Sequence, residues 1–272
     1  MVKSQKPDLP PLPANEDLIT QLIHHSFLFR GMSASHLQEL WSTIALQTEK
    51  LYSNRPVFTA FRPGQPIEWL YVVLSGGPVI LRSSPLDRIV TLTYPGGCFG
   101  MRSLPLSYGD IFKAFPSQME AYKTTDVIKV PITAITQLYE TDAEFRDRYH
   151  LLFELREKFQ YHLLNCSAYP PQAVATLLRG LIYQERALAD PAQGCDTYTF
   201  DLPVDVIARS CQLNHRTVEQ VLKGMQQVGL TEPIADGTAA NTSGDLIRVV
   251  DPEGMKEVYS TTRDKVSWWP LR

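Results

Sequence analysis

No stretch of this sequence approaches the ~20 consecutive apolar residues that a membrane-spanning helix requires. The opening residues Met1-Val2-Lys3-Ser4-Gln5-Lys6-Pro7 also lack the apolar core of a secretion signal. A protein that neither enters nor crosses a membrane is expected, with a cytoplasmic location. Cysteine is scarce and scattered: Cys98, Cys166, Cys195 and Cys211 form no CxxC and lie near no histidine pair at metal-ligand spacing. That argues against a disulfide framework and against a zinc site. Excess positive charge is lacking too. With a net charge of −3 the molecule offers no global attraction to a polyanion, so any nucleic-acid contact must rest on a local basic surface. No nucleophile-base pair or paired carboxylates in a strand-end setting call for chemistry, so neither an enzyme nor a cofactor is expected.

What is present is enough apolar residue, 44% of 272, to bury a real core. Residues 1–15 are polar and crowded with Pro7, Pro10, Pro11 and Pro13, a composition that predicts a disordered arm. Leu18, Leu22 and Ile23 then recur at helical spacing, and Ser33-Ala34-Ser35-His36 opens a second helix through Leu37, Leu40, Trp41 and Ile44. From about residue 50 to 130 the period becomes that of strands, as in Val57-Phe58-Thr59-Ala60-Phe61, Trp69-Leu70-Tyr71-Val72-Val73-Leu74, Val79-Ile80-Leu81, Ile89-Val90-Thr91-Leu92-Thr93 and Val127-Ile128-Lys129-Val130. Turn residues separate them at Arg62-Pro63-Gly64-Gln65, Ser75-Gly76-Gly77-Pro78 and Tyr94-Pro95-Gly96-Gly97, which predicts a small antiparallel barrel or roll. Over residues 142–166, Phe145, Tyr149, Leu152, Phe153, Phe159 and Leu163 fall close to a seven-residue repeat, the pattern of one long helix with an adhesive seam. The same stripe would serve a helix lying against its own roll. Tyr169-Pro170-Pro171 interrupts it, a helix over 173–189 follows, and a second domain is expected to start near Pro170.

The segment that bears on function runs from Leu202 to Leu230. Two short helices, 204–211 and 215–228, are joined by Gln212-Leu213-Asn214, and Ile207, Ala208, Leu213, Val218, Val221 and Leu222 are spaced to pack the pair together. Asn214 suits an N-cap. This is the layout of a helix-turn-helix, whose second helix enters the major groove. On that reading His215, Arg216 and Gln220 face base edges, while Arg209, Thr217 and Lys223 meet phosphates. A two-helix packing unit with an ordinary solvated face is the alternative. Leu230-Thr231-Glu232 and Leu246-Ile247-Arg248-Val249-Val250 read as the strands of a wing with a long polar tip at 235–244.

In the order of these parts, and in the roll glycines Gly64, Gly76, Gly96 and Gly100, the phrase Phe99-Gly100, and Ile207-Ala208 with Asn214-His215-Arg216-Thr217-Val218 and Leu222, the chain resembles the cyclic-AMP-receptor/fumarate-nitrate-regulator (CRP/FNR) family over about residues 18–250. The resemblance implies an α+β fold: an N-terminal double-stranded β-roll of the cyclic-nucleotide-binding kind, a long dimerisation helix and a C-terminal winged helix-turn-helix. The implied division is a disordered arm (1–15), a sensor-like roll (16–137), the dimerisation helix (138–168), the winged helix-turn-helix (169–250) and a C-terminal tail (251–272). It also implies a homodimer paired through Phe145, Tyr149, Leu152, Phe159 and Leu163, reading a near-palindromic site in double-stranded DNA, with RNA polymerase or another regulator as a further partner.

Departures from the family pattern limit what carries over. Relatives that bind cyclic AMP resemble one another in a segment Phe-Gly-Glu-Leu followed by Arg-Ser or Arg-Thr; here the matching text is Phe99-Gly100-Met101-Arg102-Ser103-Leu104, with the later pair near Phe115-Pro116-Ser117. The ribose-binding glutamate and the phosphate-binding arginine are both absent, and Phe115 cannot replace a charge-assisted pair. Any effector pocket would involve Phe99, Gly100, Met101, Arg102, Phe115 and Ser117, and its effector is not cyclic AMP. Arg102 or Lys113 reads either as an anion site or as solvated charge. Iron-sulfur relatives carry an N-terminal cysteine cluster, whereas this chain has no cysteine before Cys98, and no histidine lies between His36 and His150 to ligate a haem in the roll. Cys98 reads as a buried, inert thiol, with a redox thiol as the alternative. His215 and Arg216 stand where many relatives place arginine and glutamate, which implies a different target sequence. Residues 173–250 hold more acid than base, Asp201, Asp205, Glu219 and Asp245 included. Hence a second reading stands beside the first: an interaction or ligand-sensing protein that keeps the fold, binds DNA weakly and acts through another regulator. Trp268-Trp269 lies beyond the family pattern, either packing back on the protein or docking a partner.

Overall fold

The computed structural model describes residues 15–53, 55–59, 68–83, 88–101, 117–164, 168–189, 196–233, 246–260 and 266–269. The expected arm up to residue 14, Gly64 and the wing tip at 235–244 lie outside them. The chain opens with α1 (Asn15–His25), a 3-10 turn (Phe27–Phe29) and α2 (Ala34–Leu40). Side-chain caps start the second and third: the Ser26 hydroxyl accepts from the Leu28 amide, and Ser33 from that of His36.

Eight strands come next among the described residues: β1 (Gln47–Leu51), β2 (Pro56–Thr59), β3 (Trp69–Ser75), β4 (Val79–Ser83), β5 (Arg88–Thr93), β6 (Cys98–Phe99), β7 (Ser117–Ala121) and β8 (Thr125–Pro131). They form two antiparallel sheets in the orders β1-β8-β3-β6 and β2-β7-β4-β5. A strand turns alternate side chains to opposite faces, and β3 is covered on both, which is why its text is an unbroken apolar run. Leu70 and Val72 pack outward on the N-terminal helices, while Tyr71 and Val73 pack inward against Val79, Leu81 and Met119 of the facing sheet. The facing sheet is double-sided as well: Ile80, Ile89 and Leu92 point away from the roll interior into the C-terminal region. By contrast β1 is exposed at four of its five positions and joined to its neighbour by Glu49–Lys129 and Lys50–Asp126 pairs at 3.2 and 3.4 Å. Charge on such an edge discourages further strand addition.

After α3 (Ile132–Thr141) the chain breaks at Asp142, whose carboxylate accepts from the Phe145 amide at 2.9 Å and starts α4 (Ala143–Leu164). The expected dimer seam is corrected here. Phe145, Tyr149 and Leu152 are buried with α1, α2 and α3, and Phe159 and Leu163 are buried with the C-terminal helices, all within one chain. An apolar stripe records that a face is covered without recording by what, and on α4 the roll and the following helix cover it. Leu151, Tyr161 and Leu164 stay exposed on the other side, at 37%, 66% and 50%.

The C-terminal half comprises α5 (Pro170–Leu188), β9 (Tyr198–Asp201), α6 (Val204–Cys211), α7 (His215–Gln227), β10 (Thr231–Pro233), β11 (Leu246–Val249) and α8 (Pro252–Ser260). Pro170 and Pro171 do not stop a helix before Ala173; they occupy the first turn of α5, where no amide donor is needed. The three strands form one antiparallel sheet, order β10-β11-β9. What was expected as a tail after residue 251 begins with α8, which buries Met255 and Val258 and accepts a 2.8 Å hydrogen bond from Gln172 of α5 at the Tyr259 carbonyl. No helix among the described residues is long and apolar enough to cross a membrane.

Candidate functional site

Strand β9 feeds through Leu202-Pro203 into α6, whose Val206, Ile207, Ala208 and Cys211 are buried against α5; the Cys211 thiol donates to the Ala173 carbonyl at 3.4 Å. The helix ends on Gln212, a non-glycine residue at φ 56°, and the Leu213 amide closes on the Ala208 carbonyl at 2.9 Å. That left-handed residue turns the chain sharply enough to start α7 three residues later. Asn214 caps it, its Oδ1 accepting from the Thr217 amide at 2.8 Å and the Thr217 hydroxyl at 2.9 Å.

Val218, Val221, Gly224 and Met225 form the buried side of α7, leaving His215, Arg216, Glu219, Gln220 and Lys223 exposed on one face. Four of the expected DNA-reading residues are thus brought together, with Glu219 among them as an anionic member. Asn214 and Thr217 are engaged in the cap. Arg209 stands apart: it lies between Asp205 (3.6 Å) and Glu120 of the roll (3.9 Å), and Glu120 itself pairs with Arg82 at 2.5 Å. The expected open phosphate contact at Arg209 is not formed in this arrangement, because two acids hold the guanidinium toward the roll. Asp205 also meets His215 Nε2 at 3.3 Å.

The back of α7 is closed by a residue pair that the sequence reading did not connect. A Cβ built on Gly224 would stand 2.5 and 2.6 Å from the Trp268 ring, so the indole lies directly on the helix backbone. The Tyr169 hydroxyl, at the start of α5, accepts from the Val266 amide at 3.1 Å. Apolar stripes are readable at helical spacing, but a contact over forty residues between a glycine and a tryptophan carries no periodic signal. Farther back, Lys123 grips Asp201 through both carboxylate oxygens at 2.6 and 2.7 Å, and the Tyr94 hydroxyl donates to the Asp201 carbonyl at 3.0 Å, tying the helix-turn-helix region to the roll.

Within the roll, Phe99, Gly100 and Met101 line a small cavity. Gly100 sits at φ +83°, where an added Cβ would stand 2.7 Å from the Trp69 carbonyl. Arg102 and Phe115 lie outside the described residues, as does the side chain of Ser117. The cavity's other walls were not anticipated: Thr91 and Thr93 of β5, Met119 of β7 and, from α4, Arg156. Arg156 follows Leu152 by four positions, a spacing that could have marked it as inward-facing. Cys98 opens on the same space; burial pushes its thiol up to about 12 although the Arg156 guanidinium pulls the other way, so the group is protonated at neutral pH. Among the described residues no cluster of His, Cys, Asp and Glu could hold a metal.

No family model matches the sequence, and no curated protein does. Solved structures do. FixK2 from Bradyrhizobium japonicum superposes with a TM-score of 0.57 at 15% identity, covering 80% of this chain and 100% of its own. A CooA variant from Carboxydothermus hydrogenoformans gives 0.54 at 15% identity, covering 86% of this chain and 94% of its own. Identity at this level speaks for architecture, and both neighbours are CRP/FNR regulators. The chain has the CRP/FNR fold, a β-roll joined through a long helix to a C-terminal helix-turn-helix.

Proposed function

We propose that this protein is a homodimeric, sequence-reading DNA-binding transcription regulator that answers to a signal other than cyclic AMP. The observation that carries the reading is the exposed face of α7, where His215, Arg216, Gln220 and Lys223 follow an Asn214-capped turn. Arginine can pair with guanine at two atoms and glutamine with adenine, so the residue types suit base reading, while Lys223 suits a phosphate. The part-exposed apolar side chains Leu151, Tyr161 and Leu164 on the outer side of α4 support pairing of two chains there, in place of the buried seam. Two recognition helices would then lie roughly 34 Å apart, and the target would be near-palindromic. Met101 and Phe115, where cyclic-AMP-binding relatives carry their charged anchors, support independence from that nucleotide. The site of action is the cytoplasm, and RNA polymerase or a second regulator is the downstream partner.

A second reading is favoured by one observation: Glu219 lies on the same face, and Asp205 and Glu120 engage His215 and Arg209. An interaction protein with weak DNA binding would look like this. Arg216→Glu separates the two. Loss of regulation and of duplex binding, with the dimer intact by sedimentation, supports DNA reading; regulation that survives the charge reversal would move the function to a protein partner.

A further inference from the structure

Helix α7 carries Gly224 in its interior, where glycine weakens a helix relative to alanine. The backbone there is ordinary helix, so conformational freedom does not explain the residue. Space does: the Trp268 ring occupies the volume that a Cβ would fill, with Cε3 and Cζ3 at 2.5 and 2.6 Å from that point. Gly224 follows Gln220 by one turn, so the indole is seated on the flank of α7, where the reading face meets the buried side.

The ring arrives on a short strap, residues 266–269. The strap is folded on itself: the Trp269 amide donates to the Val266 carbonyl at 3.3 Å, and the two indoles meet edge to face with centroids 6.4 Å apart. Its near end is tied to the start of α5 by the Val266 amide and the Tyr169 hydroxyl, 3.1 Å apart. Helix α5 meets α4 through a second contact of the same kind, since a Cβ on Gly180 would stand 2.8 and 2.9 Å from the Phe159 ring. From α4 through α5 and the strap to α7 there is thus one train of contacts, with an aromatic ring on a glycine at each end.

Val218, Val221 and Met225 hold α7 down by apolar contact, which resists lifting of the helix more than rotation about its own axis. A ring against glycine backbone resists rotation. Turning the helix one way drives neighbouring side chains into the indole, and turning it the other way opens a gap that forfeits close packing. Base-reading side chains stand well off the axis, so a small rotation moves their tips further than the backbone, and precision there depends on the supporting shell.

We infer that Trp268 is a positioning residue of the reading helix: seated on Gly224 and tied through Val266 to Tyr169, it fixes the rotation of α7 relative to α5 and α4. It acts through His215, Arg216 and Gln220 and not by touching the duplex. Its effect on DNA rests on the regulator reading above, whereas its effect on α7 does not.

The test is hydrogen–deuterium exchange of the full-length protein read by peptide mass spectrometry, with the β-roll peptides as internal reference. In Trp268→Ala the amides of α7 should exchange about tenfold or more faster while those of α5 and the β-roll keep wild-type rates, and Trp268→Phe should restore most of the protection. Tyr169→Phe removes the hydroxyl that Val266 binds and leaves the indole; it should give a smaller rise confined to α7, and it decides the matter should Trp268→Ala fail to fold. On the duplex that the wild type enriches most from a random pool, Trp268→Ala should lose affinity about tenfold at an unchanged salt slope, since no phosphate contact is removed. It should also accept half-site spacings that the wild type rejects. Unchanged exchange in α7, a rise spread evenly over α5, α6 and α7, or spacing selectivity identical to the wild type would overturn the proposal. A wild type that enriches no duplex sinks the regulator reading alone, and the exchange pattern still decides the role of Trp268.

Discussion

Asn214 fixes the start of α7. Its amide oxygen takes two donors from Thr217 at the start of α7, and removing it in Asn214→Ala should cost about 1 kcal/mol, read as a lower Tm without a change of fold by circular dichroism. Gly224 makes a sharper test. With the Trp268 ring against its backbone, Gly224→Ala must displace the indole, and a loss of about 1–3 kcal/mol is expected. Adding Trp268→Ala should recover part of that loss; if the two costs simply add, the contact is not what makes the glycine necessary. For Cys98 the expected result concerns pH. Its folded-state pKa is raised to about 12, so the folded protein holds the proton more tightly than the unfolded chain, whose thiol titrates near ~8.5. Its contribution is therefore whole below about pH 8.5 and declines as pH rises toward 12. At neutral pH Cys98 should not react with iodoacetamide in the native protein; rapid alkylation there would contradict the assignment.

At the scale of elements, the parts legible in the sequence are those with a strong period or cap. Strands β3 and β5, helices α6 and α7 and the Asn214 turn are where their patterns put them. Strand β1 was not legible because four of its five residues are exposed and polar, and β7, Ser117–Ala121, carries no clear alternation. Helix α8 carries no clear signal because Pro252 and Gly254 at its start are breaker residues, although Pro252 opens its first turn, where no amide donor is needed. On α4 the period alone is ambiguous: a stripe of Phe145, Tyr149, Leu152, Phe159 and Leu163 has the same period whether its own chain or a second copy covers it, and here its own chain does. The corrected view makes opposite predictions for its two faces. Phe159→Ala should destabilise the fold by about 3–5 kcal/mol, measured by denaturant melts. Tyr161→Glu with Leu164→Glu should leave the melt nearly unchanged and shift sedimentation from dimer to monomer; a double variant that stays dimeric would place the interface elsewhere.

Across the whole molecule, the roll and the C-terminal half share a core. Ile80, Ile89 and Leu92, from the outer face of the second sheet, belong to the same buried cluster as Val206, Ile207, Val218 and Val221. Lys123–Asp201 and Arg209–Glu120 lie along that contact. The boundary that the sequence suggested near Pro170 is a change of pattern along the chain, and periodicity has no means to show that the segments on either side pack together. Arg209 illustrates the consequence for the site. In sequence it is a cation one helix before the reading face; in space the roll's Glu120 holds it. The Arg156 cavity was equally hidden, because a lone arginine in a charged helix looks solvated until the strands that surround it are placed.

The most direct test of the regulator assignment is selection of bound duplexes from a random pool by the purified wild-type protein at two salt concentrations. Enrichment of a near-palindromic site, with affinity that falls steeply as salt rises and is lost in Arg216→Glu, is what the account predicts. A folded dimer in the same sample that enriches no sequence would contradict it.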